Sequence, residues 1–345
     1  QKSDFKFKEK VWYLNENSDR SNKIVFDNSF RDLQIDSLVM SHKNEQIRLS
    51  GNMRDSTYKN FKMKFSEVDI GKITPEIDSL DLAGILNGDL ELLQEDGAYF
   101  PVSNLNINQF EVNDLVMGNL ALDVSGNQDL STYSIYAKLE KEGIESLSAI
   151  GDINVNGSEP RIDLEVNMNR LNMGVFTPLG ADVLTDIRGF ATGRAFVTGN
   201  YKNPDFSGSL SLAEAGLRIP YLNVDLNFQE NAEIDLTQQQ FVFDNIDIVD
   251  TKFNTKGTLD GLISHRNFSE WFLDLTLVSD RILVLDTEAD EDALYYGTAF
   301  IDGEASIMGP TDELVIEVNA ATERGTVFKI PLSDTESVGD NSFIR

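Results

Sequence analysis

Cysteine is absent from the 345 residues, and histidine occurs only twice, at His42 and His265. The first absence excludes disulfides and thiolate chemistry. It suits an oxidising compartment, although many cytosolic domains share it. The second leaves any zinc site or Ser/His/Asp triad to be built from two residues far apart in sequence, each in a polar segment and neither with ligand spacing. Basic residues are also scarce: 29 Lys and Arg face 58 Asp and Glu, for a formal charge of −29. That balance excludes nucleic acid, whose phosphates need cations to displace their counterions, and flat docking on an anionic membrane. The acidity itself serves solubility. No run approaches the ~18 apolar residues of a membrane span, and no signal peptide is present. The chain opens on Gln1 and stops in "NSFIR", which reads as the start of another strand, so the expectation is a piece of a longer protein.

Hydrophobic residues make up 41% of the chain, enough for a real core, and 24 glycines against 8 prolines fit many strands joined by tight turns. Period-two alternation runs almost throughout. Ile162, Leu164, Val166 and Met168 alternate with Asp163, Glu165 and Asn167; Leu210 and Leu212, then Leu222, Val224, Leu226 and Phe228, continue the pattern. Phe241, Phe243, Ile246 and Ile248 follow, and Leu275 and Leu277 after them. Each segment thus has one greasy and one wet face. Turn signals such as "SGNQD", "VNGSEP" and "MGPTDE" separate them, and such short links favour antiparallel pairing. Helical pattern is confined to Arg170–Ile187, limited by Gly174 and Pro178, and to Ser66–Leu80.

The chain also repeats itself. "VDIGKITP" at Val68 to Pro75 answers "LNMGVFTP" at Leu171 to Pro178, a shift of 178 − 75 = 103. A glycine phrase follows: Gly84 and Gly88 recur as Gly189 and Gly193, with Gly199 closing that copy. A third copy holds Gly297, Gly303 and Gly309. The expectation is one continuous segment with approximate repeats at 66–165, 166–275 and 276–345, stacked as in elongated arrays. Glycine inside a strand marks a bulge, a bend or close backbone approach. These glycines either bend the sheet so that its apolar face becomes concave, or merely permit tight packing and local twist. No Lys-Ser/Thr follows them, so they form no phosphate loop.

Chemistry-bearing clusters are lacking. Carboxylates are plentiful, yet none is marked as a catalytic pair. The acidic run Asp286 to Ala293 lacks the spacing of a calcium loop. Trp12 and Trp271 fit packing or interface anchoring. No catalytic, cofactor or metal site is expected, and the apolar face becomes the object of interest. A second sheet could bury it. An open trough would instead offer it to acyl chains at ~0.8 kcal/mol per CH₂, so ~14 such groups gain roughly 11 kcal/mol before ordering costs.

The run Met168 to Val224, above all "GRAFVTG…NPDFSGSLSL" and "AGLRIPYLNV", resembles the TamB family of the AsmA-like superfamily, in its Bacteroidetes-type form. Ile330 and Pro331 in "VFKIPLSD" answer Ile219 and Pro220. The resemblance implies a mostly β, elongated antiparallel sheet curved into a β-taco-like trough with a hydrophobic lumen and one or two short helices. It implies a non-enzymatic periplasmic protein held in the inner membrane by an anchor that this segment lacks. Its implied partners are phospholipid and a TamA-like outer-membrane barrel of the Omp85 type, and its implied roles are lipid transport and outer-membrane protein assembly. A closed-core secretion scaffold and a carbohydrate-active β-sandwich are the alternative readings.

Overall fold

The computed structural model describes residues 3–7, 10–16, 22–29, 31–72, 81–180, 183–266, 269–289 and 295–331. The alternating segments form β1 (Ser3–Phe7), β2 (Lys10–Leu14), β3 (Ile24–Phe26), β4 (Asp32–His42), β5 (Glu45–Arg54), β6 (Tyr58–Asp69), β7 (Leu82–Glu95) and β8 (Ala98–Val112). Next come β9 (Leu115–Gly126), β10 (Thr132–Lys141), β11 (Ile144–Asn154), β12 (Arg161–Asn172), β13 (Thr185–Asn200), β14 (Asn203–Ile219) and β15 (Val224–Phe228). The last are β16 (Ala232–Gln238), β17 (Gln240–Asp250), β18 (Lys256–Arg266), β19 (Ser269–Thr287), β20 (Tyr296–Pro310), β21 (Val315–Thr322) and β22 (Val327–Lys329). All belong to one sheet, and every pairing is antiparallel, as short turns require. The meander departs from simplicity in three places. β4 carries both β2 and β3 on one edge. β14 is followed by two short strands, β15 and β16, which both rejoin at β17. β20 ends the sheet against β21 and β22.

The accessible surface is 21065 Å² for a 38.5 kDa chain, about half as much again as the roughly 14,000 Å² of a compact monomer of that mass. A single sheet with no second layer over most of its length accounts for the excess. All the described strands belong to one sheet, which leaves no separate second sheet for a two-sheet sandwich.

The two segments of helical pattern differ from expectation. Arg170–Asn172 end β12, Met173–Gly180 form a 3-10 turn, and Thr185–Ile187 open β13. Ser66–Asp69 end β6 and Ile70–Lys72 form a shorter 3-10 turn, while 73–80 lie outside the described residues. A third 3-10 turn spans Pro220–Leu222. The two copies of the shared phrase start their turns alike. Asp69 Oδ1 accepts from Gly71 N at 3.1 Å, and Asn172 Oδ1 accepts from Gly174 N at 2.9 Å. Such local side-chain bonds compete with the ladder and stop the strand.

Register aligns the apolar faces into lanes that cross the strands. One lane reads Leu14, Met40, Ile47, Phe65, Gly88, Leu105, Leu122, Ala137, Ala149, Val166, Ala195, Gly208, Leu236, Phe241, Ile263, Leu273 and Gly309, each directly opposite the next. Seventeen strands give it a length of roughly 77 Å at the usual strand spacing. Lys64, Asp89, Asn104 and Asp123 run beside it on the opposite face. That outer face also exposes Tyr136, Ile150 and Phe196.

The sheet is creased. Along β4, β6, β12, β17 and β19 the register slips just after Ile35, Phe65, Met168, Phe243 and Ser279. Opposite these five residues stand Gly51, Gly88, Gly193, Gly261 and Gly303. A β-bulge bends its strand and sharpens the local twist, so a line of bulges folds the sheet along its long axis. The bulged residues are not themselves glycine: Glu67, Arg170 and Asn245 adopt positive φ. A neighbouring strand satisfies each freed N–H. Glu67 N donates to Asn87 Oδ1 (3.0 Å), Arg170 N to Thr192 Oγ1 (3.0 Å) and Asn245 N to Asp260 Oδ2 (3.2 Å).

The sheet closes on three cores. Trp12, Val68, Ile70 and Leu86 form the first, and Met117, Leu139, Leu171 and Val175 the second. The third is the largest and includes Val224, Ile248, Ile282 and Phe300, where β15 and β17 pack against β19. Each 3-10 turn adds a residue to one of them: Ile70, Val175 and Leu222.

Candidate functional site

The inner face between the crease and the turns stays accessible. Of the lane residues named above, only Ala195, Leu236 and Leu273 are buried; the others are half-buried. A parallel lane through Leu38, Leu49, Met63, Leu90, Ser103, Val124, Ile135, Gly151, Leu164, Val197 and Phe206 is equally open apart from Ser103. From β12 to β19, with Thr311 just past β20, the trough deepens into an apolar cavity of ≈ 340 Å³. It follows β14 from Phe206 to Leu217, eleven residues or roughly 36 Å of strand.

Of the residues expected to line a groove, Val166, Met168, Leu210, Leu212, Phe228, Phe241 and Phe243 border this cavity. All seven also belong to or pack against the third core; Leu222, Val224, Leu226, Ile246, Ile248, Leu275 and Leu277 do so without bordering the cavity. Ile162 and Leu164 sit on the same face, half-buried and outside the cavity. Periodicity assigns a face, but it does not say which residues of that face border the cavity. The cavity also takes residues that sequence reasoning left out. Met173, Phe176, Leu184 and Ile187 come from the 3-10 turn of the second repeat and the chain that follows it, and close one end. His265, Trp271, Gln238 and Gln240 border the other.

The glycines of the repeated phrase also have defined places. Gly84 and Gly189 are themselves skipped by the ladder. Gly88, Gly193 and Gly303 stand opposite bulges, and Gly309 faces Leu273 in the lane. Gly199 pairs with Ile162 and Pro204, and Gly297 with Thr287 and Phe328.

Trp12 is buried in the first core, and His42 Nδ1 lies 2.8 Å from Val11 O. The second histidine belies its polar sequence surroundings: His265 is 7% exposed, with ring centroids 4.9 Å from Trp271, 5.6 Å from Phe241 and 5.9 Å from Phe206. Burial among these rings pushes its pKa down from 6.5 to about 4. The unfolded chain therefore binds the proton first as pH falls below 6.5, and the stability contributed by the neutral ring, complete above that value, is lost toward pH 4. Urea midpoints at about pH 7.5 and pH 5 should show wild type losing roughly 2 kcal/mol more than His265→Phe over that interval. Equal losses would remove this residue from the pH dependence.

Asp286 of the acidic run ends β19, where it pairs with Lys252 and accepts from Thr298 Oγ1 at 3.0 Å. Asp290 to Ala293 lie outside the described residues. Among the described residues no cluster of His, Cys, Asp or Glu could hold a metal ion, and no helix is long and apolar enough to cross a membrane.

Residues 244–345, from the second half of β17 onward, match the family model of the TamB C-terminal domain. The match covers under a third of the chain and marks that segment as TamB-like. No curated protein and no solved structure matches the chain. The matched domain supports a TamB-like envelope protein of translocation and assembly or of lipid transport. The matched segment contributes Ile246, Ile248, Ile282, Leu283, Phe300 and Ile301 to the third core, and Ile263, His265, Trp271, Leu273 and Thr311 to the cavity. The cavity residues of β12 to β14, from Val166 to Leu217, precede it.

Proposed function

We propose that this TamB-like segment conducts phospholipid along its trough, acyl chains against the apolar lanes and head groups toward water, between the inner and outer membranes of the envelope. In the whole protein the trough would deliver to an Omp85-type barrel resembling TamA, and the same surface would support outer-membrane protein assembly. The observation that carries the reading is the half-buried lane crossing seventeen strands without one charged residue. Water wets such a surface at a cost, and an acyl chain laid along it gains ~0.8 kcal/mol for each CH₂ removed from water. A surface this long needs no specific polar contact to hold a guest, so lipid can slide along it.

The closed-core scaffold has its own support in the third core, where Ile248 and Ile282 are 1% and 0% exposed. In that section protein fills the fold and leaves no path. The two readings separate on adjacent residues of β13. Val197 lines the cavity, whereas Phe196 is 38% exposed on the outer face. Val197→Asp is expected to abolish phospholipid co-purification, read by native mass spectrometry, and Phe196→Asp to leave it intact. Lipid-free wild-type protein, or equal retention by both variants, favours the scaffold.

A further inference from the structure

The polar residues of the cavity gather at one lip. Gln238 ends β16 and Gln240 begins β17; His265 lies near the end of β18, Trp271 near the start of β19, and Thr311 just past β20. Backbone bonds tie these ends together: His265 N donates to Gln239 O at 2.9 Å, and Thr311 N to Trp271 O at 3.1 Å. Trp271 stacks on Phe241, with centroids 6.3 Å apart. The far end, at Met173, Phe176, Leu184 and Ile187, is apolar. Among the described residues no Asp, Glu, Lys or Arg lines any part of the cavity. The side-chain amides of Gln238 and Gln240 make no hydrogen bond among the described residues.

We infer that this lip is a subsite for the uncharged acyl linkage of an amphiphile. An ester or amide carbonyl accepts hydrogen bonds from the Gln238 and Gln240 amides while its chain runs past Phe206 and Phe241 toward Met173 and Phe176. The inference rests on the lipid reading of the trough and adds a selectivity to it. Each glutamine amide supplies two donors and each carbonyl offers two lone pairs, so the match needs no charge. A free carboxylate at the same place would shed hydration with no cation to replace it. The lip therefore favours an acyl ester over the acid anion of the same chain, and leaves a phosphate, where one is attached, outside in water.

Delipidated protein tests this with three probes of one chain length: monododecanoyl glycerol, dodecanoate at about pH 9, where the carboxyl is fully ionised, and dodecane. The ester is expected to bind at least about tenfold more tightly than the anion. The Gln238→Leu/Gln240→Leu variant is expected to lose that preference while taking up dodecane as wild type does. Gln238 is exposed and Gln240 half-buried, so the variant keeps the core, and its dodecane uptake reports an intact trough. Binding of dodecanoate as tight as the ester, or a double variant that keeps the preference, overturns the subsite alone. Failure of wild type to take up any probe, dodecane included, overturns the trough reading and the subsite with it.

Discussion

Asp250→Ala is expected to lower stability by about 4 kcal/mol, measured by urea unfolding, with most of the loss in β17 to β19. Asp250 has no exposed surface, and its carboxylate holds the turn from β17 to β18. It accepts from Lys252 N at 3.0 Å, Phe253 N at 2.7 Å and Thr255 N at 2.6 Å, and from the Thr255 hydroxyl. Thr255 Oγ1 in turn accepts from Leu283 N at 2.9 Å, which ties the turn to β19 across the third core. Alanine strands three backbone donors at once, and each unsatisfied buried donor costs about 1–3 kcal/mol. Asparagine keeps one acceptor oxygen, so Asp250→Asn should cost roughly half as much. A loss below about 1 kcal/mol for the alanine variant would mean that water reaches the turn and replaces the carboxylate.

Gly88→Ala is expected to cost about 3–5 kcal/mol and to loosen the first repeat without touching the third. Gly88 sits mid-sheet in β7 with φ 136°, a conformation costly for any residue with a side chain. A Cβ there overlaps the Asn104 carbonyl oxygen and stands 2.9 Å from Leu105 Cα, so the atoms that must give way are backbone of the next strand. Across its other edge stands Phe65, the last residue in register before the bulge at Glu67. Relief would require the crease to open. In an array whose units contact only their neighbours, such damage stays local. Hydrogen exchange should therefore accelerate in β6 to β8 and remain unchanged in β18 to β20. Uniform acceleration would show that the sheet unfolds as one unit.

Much of this architecture is legible in the amino acids because a strand has period two. Ile162, Leu164, Val166 and Met168 share a face in the alternation and share it in β12. The antiparallel meander follows from turns too short for crossovers. The repeated glycine phrase marks the crease, since Gly88, Gly193 and Gly303 each stand opposite a bulge. The bulged positions themselves escaped notice. Glu67 and Arg170 have no local mark of left-handed backbone, Asn245 has only the preference of its residue type, and the side chains that satisfy them belong to other strands. The helical pattern at Arg170–Ile187 became a 3-10 turn because Asn172 captures the N–H of Gly174 and Pro178 forbids a longer α run.

Sequence alone thus determined a one-faced, acidic-coated, repetitive sheet, because alternation, turn spacing and charge are properties of residues a few positions apart. The tertiary structure decided where that sheet folds, which residues of the apolar face border the cavity, and which gather at its lip. Phe228 and Leu226 follow the same alternation and both meet the third core, yet only Phe228 borders the cavity. What separates them is the placement of β15 against β17, with Phe228 opposite Ile248 and Leu226 opposite Asp250. It depends on hydrogen bonds between strands, which no single segment contains.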